Sequence, residues 1–121
     1  MQHIGVDIIE IDRISKVIER WGETFLARVF TPSELNLYRR KDSSLAARFA
    51  AKEAVLKSLG ACDRGISWQD IEVLAETSGK PAVFLHGKAQ AAARDLAIVD
   101  LAVSLSHSED YAVAFVVGVT D

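Results

Sequence analysis

The sequence has one cysteine, Cys62, among its 121 residues. An internal disulfide and a multi-cysteine metal site are therefore excluded. No apolar run approaches the roughly 20 residues that a membrane-spanning helix needs. The first residues are strand-like, whereas a secretory signal has a basic region before an apolar core. From the sequence we expect a cytoplasmic protein that does not associate with membranes.

Prolines are also few, with only two in the chain, and no repeat, linker or low-complexity segment interrupts it. Half of the residues are apolar, which suffices for one hydrophobic core but hardly for two in a chain of this length. We therefore expect one domain that spans residues 1–121.

Charge is unevenly distributed along the chain. Residues 13–57 contain ten Lys or Arg against five acids, a balance of +5, whereas the rest of the chain carries −8. Such a basic segment on an acidic protein favours a polyanionic ligand or an acidic partner protein, although most of these charges could simply lie on solvated helix faces. Nucleic acid is disfavoured, because the pI is about 5.6 and no basic run is interleaved with aromatic residues.

The apolar pattern predicts an α+β fold, an antiparallel sheet with packed helices. Residues 2–11 form a strand that we expect to be covered on both faces, with Gly5 leaving space for a ligand. Helices are predicted from an N-cap at Asp12 to Gly22, from a capping box at Thr31 and Glu34, from residue 42 to Gly60, and over residues 87–97. Residues 71–74 and 81–85 form a hairpin, and residues 101–107 and 111–119 form two further strands.

Two carboxylates are predicted inside apolar elements. Asp7 shares a strand face with Gly5 and Ile9, and Glu53 lies close to the Leu and Phe stripe of the helix after residue 42, with Lys57 one turn later. Because burial of a lone charge is costly, each needs a metal, a cation or a proton. The alternatives are a surface Glu53–Lys57 pair and a carboxylate that caps a strand end.

Together these residues suit a phosphoryl-transfer site. Two carboxylates on rigid elements can hold Mg²⁺ and leave positions open for phosphate oxygens, and Lys57 adds a positive charge. His107 could be a general base or a ligand, although a histidine at a hairpin turn is more often a surface residue that forms hydrogen bonds. The residues alone indicate metal-assisted chemistry on a phosphate ester.

Three motifs, at residues 5–11 (GVDIIEI), 48–57 (RFAAKEAVLK) and 104–108 (SLSHS), give a more specific hypothesis. In order and spacing they resemble the signatures of holo-[acyl-carrier-protein] synthase, the small bacterial type of 4'-phosphopantetheinyl transferase. Residues 68–73 and 79–81 are similar to connecting segments of the same family. The resemblance covers almost the whole chain and implies the 4'-phosphopantetheinyl transferase fold.

The resemblance implies an enzyme of fatty acid biosynthesis that moves the phosphopantetheine arm of coenzyme A to a serine of apo-acyl carrier protein and releases adenosine 3',5'-bisphosphate. It implies that Asp7 and Glu53 bind Mg²⁺, that Lys57 stabilises or protonates the leaving phosphate, and that Glu53, directly or through a water, is the base for the serine hydroxyl. A further acid of the larger relatives is Ile9 here, so that a water would complete the coordination. Coenzyme A contacts are implied for Arg48, Phe49, Lys57, Lys80, Pro81, Ser106 and His107.

The resemblance also gives the basic segment a role. Acyl carrier proteins are acidic, so Arg13 and Arg20 would hold the partner through salt-sensitive contacts. The family forms homotrimers with active sites between subunits, and it tends to have a glycine-rich turn where this chain has residues 60–65 (GACDRG). Two other hypotheses are a non-catalytic module that binds an acidic protein and a metal-dependent hydrolase that needs no carrier protein.

Overall fold

The computed structural model describes residues 1–60 and 65–121. Its helices and strands follow one another in the order β1 (Gln2–Glu10), α1 (Ile11–Trp21), α2 (Glu23–Val29), α3 (Pro32–Tyr38), α4 (Asp42–Leu59), a 3₁₀ turn (Trp68–Asp70), β2 (Ile71–Ala75), β3 (Pro81–Leu85), α5 (Gly87–Asp95), β4 (Ile98–His107) and β5 (Tyr111–Thr120). The predicted α+β fold with antiparallel strands and packed helices is confirmed. The structure also contains α2, which the sequence indicated only as a short apolar stretch.

Two antiparallel sheets frame the helices. β1, β5 and β4 form one sheet in that order, and β2 pairs with β3 in the predicted hairpin. Asp7 lies opposite Ala114 of β5, and Ala114 in turn lies opposite Leu105 of β4. Because side chains alternate along a strand, Gly5, Asp7 and Ile9 point to the same face of the sheet, as predicted.

That inner face of the sheet packs directly against α4. A Cβ atom on Gly5 would lie 1.8 Å from the carbonyl oxygen of Ala54. The glycine therefore permits close contact between strand and helix, and the expectation that Gly5 leaves space for a ligand is wrong. The small alanine side chains of α4 have the same effect, since Ala50, Ala51 and Ala54 are fully buried.

Three helix ends follow the local signals that predicted them, and the start of α1 does not. Gly22 and Gly60 end α1 and α4 with positive φ angles of 52° and 60°, and Thr31 and Glu34 form the predicted capping box. α1 instead begins at Ile11, with Glu10 in the N-cap position and no side-chain cap. Asp12 therefore lies inside the first turn, where it forms an ion pair of 2.9 Å with Lys16, and the prediction of an N-cap at Asp12 is wrong.

The outer face of the three-stranded sheet is apolar and exposed. Ile4, Val6 and Ile8 of β1 are 55%, 51% and 61% exposed, and Phe115 of β5 is 44% exposed. Within this chain β1 is therefore covered on one face only, contrary to the expectation from its sequence. None of the helices in residues 1–60 and 65–121 is long and apolar enough to cross a membrane.

Candidate active site

A pocket of about 370 Å³ opens between β1, α1, α2 and α4. β1 contributes the consecutive residues 7–9, and α4 contributes Phe49, Glu53 and Lys57, which lie one turn apart along one side of the helix. Ten residues line the pocket: Asp7, Ile8, Ile9, Arg13, Ile14, Val17, Phe25, Phe49, Glu53 and Lys57. The strand acid and the helix acid, 46 positions apart in sequence, thus share one cleft with a lysine and an arginine.

Asp7 and Lys57 are joined by a direct ion pair. Lys57 Nζ lies 3.0 Å from Asp7 Oδ1 and also donates to the carbonyl oxygen of Val6 at 3.0 Å. The Asp7 side chain is 18% exposed and that of Lys57 is 52% exposed. The lysine therefore bridges from its helix to the strand, while its outer part stays accessible to a bound anion.

Glu53 lies beside this ion pair. Burial raises the pKa of its carboxyl group, the negative charge of Asp7 raises it further, and the positive charge of Lys57 lowers it in part. The structure thus supports the prediction that Glu53 is a half-buried carboxylate with a charged neighbour, rather than a solvated one. A group with a raised pKa is also better able to accept a proton near neutral pH.

The chemistry of these donors fits a divalent cation. Two carboxylates that repel each other in a half-buried cleft would be stabilised by a cation between them, and oxygen donors are the ligands that Mg²⁺ prefers. In the described parts of the chain no three His, Cys, Asp or Glu side chains come together in a metal-binding cluster. With Asp7 and Glu53 as protein ligands, phosphate oxygens and water would supply the others.

Aromatic side chains form one wall of the pocket and continue behind it. The ring centroids of Phe25 and Phe49 are 6.4 Å apart, and those of Phe49 and Trp68 are 5.1 Å apart. The 3₁₀ turn that carries Trp68 thereby supports the Phe49 ring. Arg48, the residue before Phe49, stacks on Tyr38 at 3.8 Å and donates to its hydroxyl at 2.9 Å.

The other predicted binding residues lie outside this pocket. Lys80 and Pro81 are at the turn between β2 and β3, and Ser106 and His107 are exposed at the end of β4. His107 Nδ1 is 3.4 Å from the carbonyl oxygen of Ser108. Residues 61–64 form most of the segment where the family tends to have a glycine-rich turn and this chain differs. They lie outside the described residues.

The two predicted partner-binding arginines lie on α1. Arg13 is exposed and reaches the rim of the pocket. Arg20 lies in the last turn of the same helix, and its guanidinium carbon is 5.2 Å from the centroid of the Trp21 ring. Arg13 thus belongs to the candidate site, whereas Arg20 does not touch the pocket.

Sequence reasoning missed a buried ion pair next to the site. Lys52 and Glu34 have fully buried side chains, with Lys52 Nζ 2.9 Å from Glu34 Oε1. Burial lowers the pKa of Lys52, and the charge of Glu34 opposes this shift. The available signal was the position of Lys52 on α4, since the residues three before it and three and four after it at helical spacing, Phe49, Val55 and Leu56, are apolar.

Comparison with known proteins identifies the relatives of this chain. The family described as the 4'-phosphopantetheinyl transferase superfamily matches residues 3–116. The holo-[acyl-carrier-protein] synthase of Herpetosiphon aurantiacus is 51% identical, with 94% of this chain and 95% of that protein covered. That of Dehalococcoides mccartyi strain 195 is 50% identical, with 97% and 98% covered.

Solved structures give the same result for the fold. The holo-[acyl-carrier-protein] synthase of Neisseria meningitidis superposes with a TM-score of 0.88 at 34% identity, over 98% of each chain. The Helicobacter pylori enzyme, solved in complex with coenzyme A, superposes with a TM-score of 0.86 at 35% identity, over 96% of this chain and 99% of that one. The predicted fold and family are confirmed.

Proposed function

This chain belongs to the 4'-phosphopantetheinyl transferase superfamily, and we propose that it is a holo-[acyl-carrier-protein] synthase. It transfers the 4'-phosphopantetheine group of coenzyme A to a serine of apo-acyl carrier protein, giving holo-acyl carrier protein and adenosine 3',5'-bisphosphate. This reaction is a step of fatty acid biosynthesis. The observation that carries the proposal is the convergence of Asp7, Glu53 and Lys57 on one pocket from two elements.

In this proposal Asp7 and Glu53 hold Mg²⁺. When bound, the ion neutralises the pyrophosphate of coenzyme A and stabilises the charge that develops on it. The pairing of Asp7 with Lys57 supports this assignment, because Lys57 occupies Oδ1 and leaves the other carboxylate oxygen for a cation. The residues present thus fit the ion, with two protein ligands on rigid elements.

The remaining chemistry belongs to side chains of the pocket. The serine oxygen of the carrier forms a bond to the phosphorus next to pantetheine, and the bond from that phosphorus to the bridging oxygen breaks. Glu53 accepts the serine proton, directly or through a water, from its place in the pocket beside Lys57. Lys57, half exposed beside Asp7, stabilises or protonates the departing phosphate oxygen.

The charge of the pocket rim supports the proposed partner. Arg13 lies at the rim of the pocket, and Arg20 is in the last turn of the same helix. An acidic carrier protein would be held there by contacts that steer its approach and weaken with salt.

The exposed sheet face supports self-association, and we propose the homotrimer expected for the family. Apolar patches of this kind mark interaction surfaces, and closed symmetric assemblies bury the same patch on each copy. Such an assembly would also bring residues from one copy to the pocket of the next. Lys80, Pro81, Ser106 and His107, which lie outside the pocket of their own chain, would then contact coenzyme A together with Arg48 and Phe49.

Residues 1–121 would act as one domain in this assembly. The cytoplasmic location expected from the sequence stays a prediction.

The direct test is transfer to apo-acyl carrier protein in the presence of coenzyme A and Mg²⁺, followed by mass spectrometry of the carrier. We expect the mass gain of the arm with the unmodified chain, its loss with EDTA, and its loss in Asp7→Asn and Glu53→Gln. Glu76→Gln, an exposed residue outside the pocket, is the matched control. Carrier binding without a modified product, or release of adenosine bisphosphate without a carrier, would contradict the proposal.

A further inference from the structure

A buried ion pair lies directly behind the candidate site. The side chains of Lys52 and Glu34 are both 0% exposed. Lys52 Nζ donates to Glu34 Oε1 at 2.9 Å, to the carbonyl oxygen of Trp68 at 3.1 Å and to the carbonyl oxygen of Ile71. One ammonium group on α4 thus connects α3, the 3₁₀ turn and the start of β2.

Glu34 connects the same group of elements from the other side. Its Oε1 atom accepts from the backbone N–H of Thr31 at 2.8 Å, and its Oε2 atom accepts from the N–H of Val73 at 2.8 Å. The pair therefore satisfies its buried charges through donors and acceptors that are fixed in the backbone. A change in the rotation or height of α4 would break several of these contacts at once.

Stability alone is a weak reason for this arrangement. Replacement of a buried ion pair by apolar residues of similar volume is often neutral or stabilising, because desolvation of two charges offsets most of their attraction. Lys52 directly precedes Glu53 on α4. The 3₁₀ turn that Lys52 contacts carries Trp68, whose ring centroid is 5.1 Å from that of Phe49. Both Glu53 and Phe49 line the pocket.

We propose that Lys52 and Glu34 are positioning residues for the transfer reaction, which fix the rotation of α4 and the Trp68 support so that Glu53 and Phe49 face the bound substrates. This inference rests on the proposed function. Neither residue reaches the pocket, so each acts through its neighbours. Loss of the pair should therefore disturb the geometry of the reacting groups, and affect the affinity for coenzyme A less.

The test compares the double variant Lys52→Met/Glu34→Gln with Lys88→Met, which removes an exposed lysine from α5. We expect kcat for carrier modification, corrected for the folded fraction, to fall roughly 10- to 100-fold, because misplacement by about 1 Å can have that effect. The KM for coenzyme A should change less than about threefold. Lys88→Met should retain the wild-type kcat and KM.

Trp68 provides a second measurement that a loss of stability alone would not change. In a Trp21→Phe background the fluorescence of the folded protein reports Trp68, and we expect the double variant to shift to longer wavelength and to be quenched more readily by acrylamide. Should the double variant not fold, Glu34→Asp is the milder form, since it keeps both buried charges and only shortens the reach of the carboxylate to Lys52 Nζ and to the backbone N–H of Val73. It should lower kcat about three- to tenfold at an unchanged KM.

The outcomes separate the two proposals. Absence of transfer by the wild-type chain would contradict the proposed function itself. A wild-type enzyme that transfers the arm, with variants whose kcat per folded molecule and Trp68 emission match those of Lys88→Met, would overturn the positioning role.

Discussion

Substitution of Gly5 by alanine is the sharpest test of how β1 and α4 build the site. The new Cβ would lie 1.8 Å from the Ala54 carbonyl oxygen, 2.8 Å from its carbonyl carbon and 3.0 Å from the backbone nitrogen of Ser58. An ordinary contact begins near 3.4 Å, so the helix and strand must separate by more than 1 Å. All three are backbone atoms, which cannot rotate away as a side chain would.

The expected cost is at the upper end of overpacking, about 3 kcal/mol or more in the free energy of unfolding. For a domain of this size that corresponds to a fall in Tm of roughly 10 °C. The same separation moves Glu53 relative to Asp7, so transfer by the molecules that remain folded should fall by about 10²-fold. Urea unfolding and carrier mass spectrometry measure the two effects.

Gly60→Ala is the matched control. Gly60 has a φ of 60°, and no atom of residues 1–60 and 65–121 lies within 4 Å of the position that a Cβ would take. Among the described residues, alanine there therefore meets only the conformational cost of about 1–2 kcal/mol and leaves α4 in place. A Gly5→Ala protein with wild-type stability, or one less affected than Gly60→Ala, would refute the close packing of β1 on α4.

Three further predictions follow from charge and exposure. Burial and the charge of Asp7 raise the pKa of Glu53, so its ionised form opposes folding. In EDTA, Glu53→Gln should therefore raise the Tm at pH 7. This advantage shrinks as the pH falls through the pKa of Glu53 in the folded chain, and it is gone once the carboxyl is protonated in the unfolded chain as well. An unchanged or lower Tm at pH 7 would contradict this. Arg13→Glu should raise the KM for acyl carrier protein at least tenfold at low ionic strength and make this KM less dependent on salt, while the KM for coenzyme A stays near that of the wild type. If the KM for the carrier depends on salt equally in the variant and the wild type, Arg13 does not belong to the partner surface. Phe115→Glu should convert the assembly to monomers in analytical ultracentrifugation and lower transfer, whereas Glu76→Gln should not; an unchanged mass would exclude the outer sheet face as the interface.

Local signals in the sequence predicted most of the elements. The capping box at Thr31 and Glu34 and the stops at Gly22 and Gly60 depend on hydrogen bonds and φ angles within a few residues, so they can be recognised without knowledge of the fold. The β2–β3 and β4–β5 pairs likewise follow from alternation and turns between neighbouring strands. The predicted start of α1 was wrong by two residues, because Glu10 occupies the N-cap position and Asp12 pairs with Lys16 inside the first turn.

Contacts between distant residues could not be predicted in this way. Glu34 is recognisable as a capping residue, but its partner Lys52 lies 18 positions later and Val73 lies 39 positions later. Gly5 suggested a gap, and only the approach of Ala54 shows that the gap is filled. The exposed face of β1 was expected to be covered, and the single chain leaves it open.

The sequence by itself determined the family, the kinds of residue in the site and the order of its elements, because motifs, periodicity and caps are properties of neighbouring residues. Only the tertiary structure decided that Asp7, Glu53 and Lys57 share a pocket, that Lys57 pairs with Asp7, and that a buried ion pair supports the helix that carries Glu53. The physical reason is that distances, burial and pKa shifts depend on how β1, α3 and β2 pack against α4, and packing joins residues whose separation along the chain gives no sign of it.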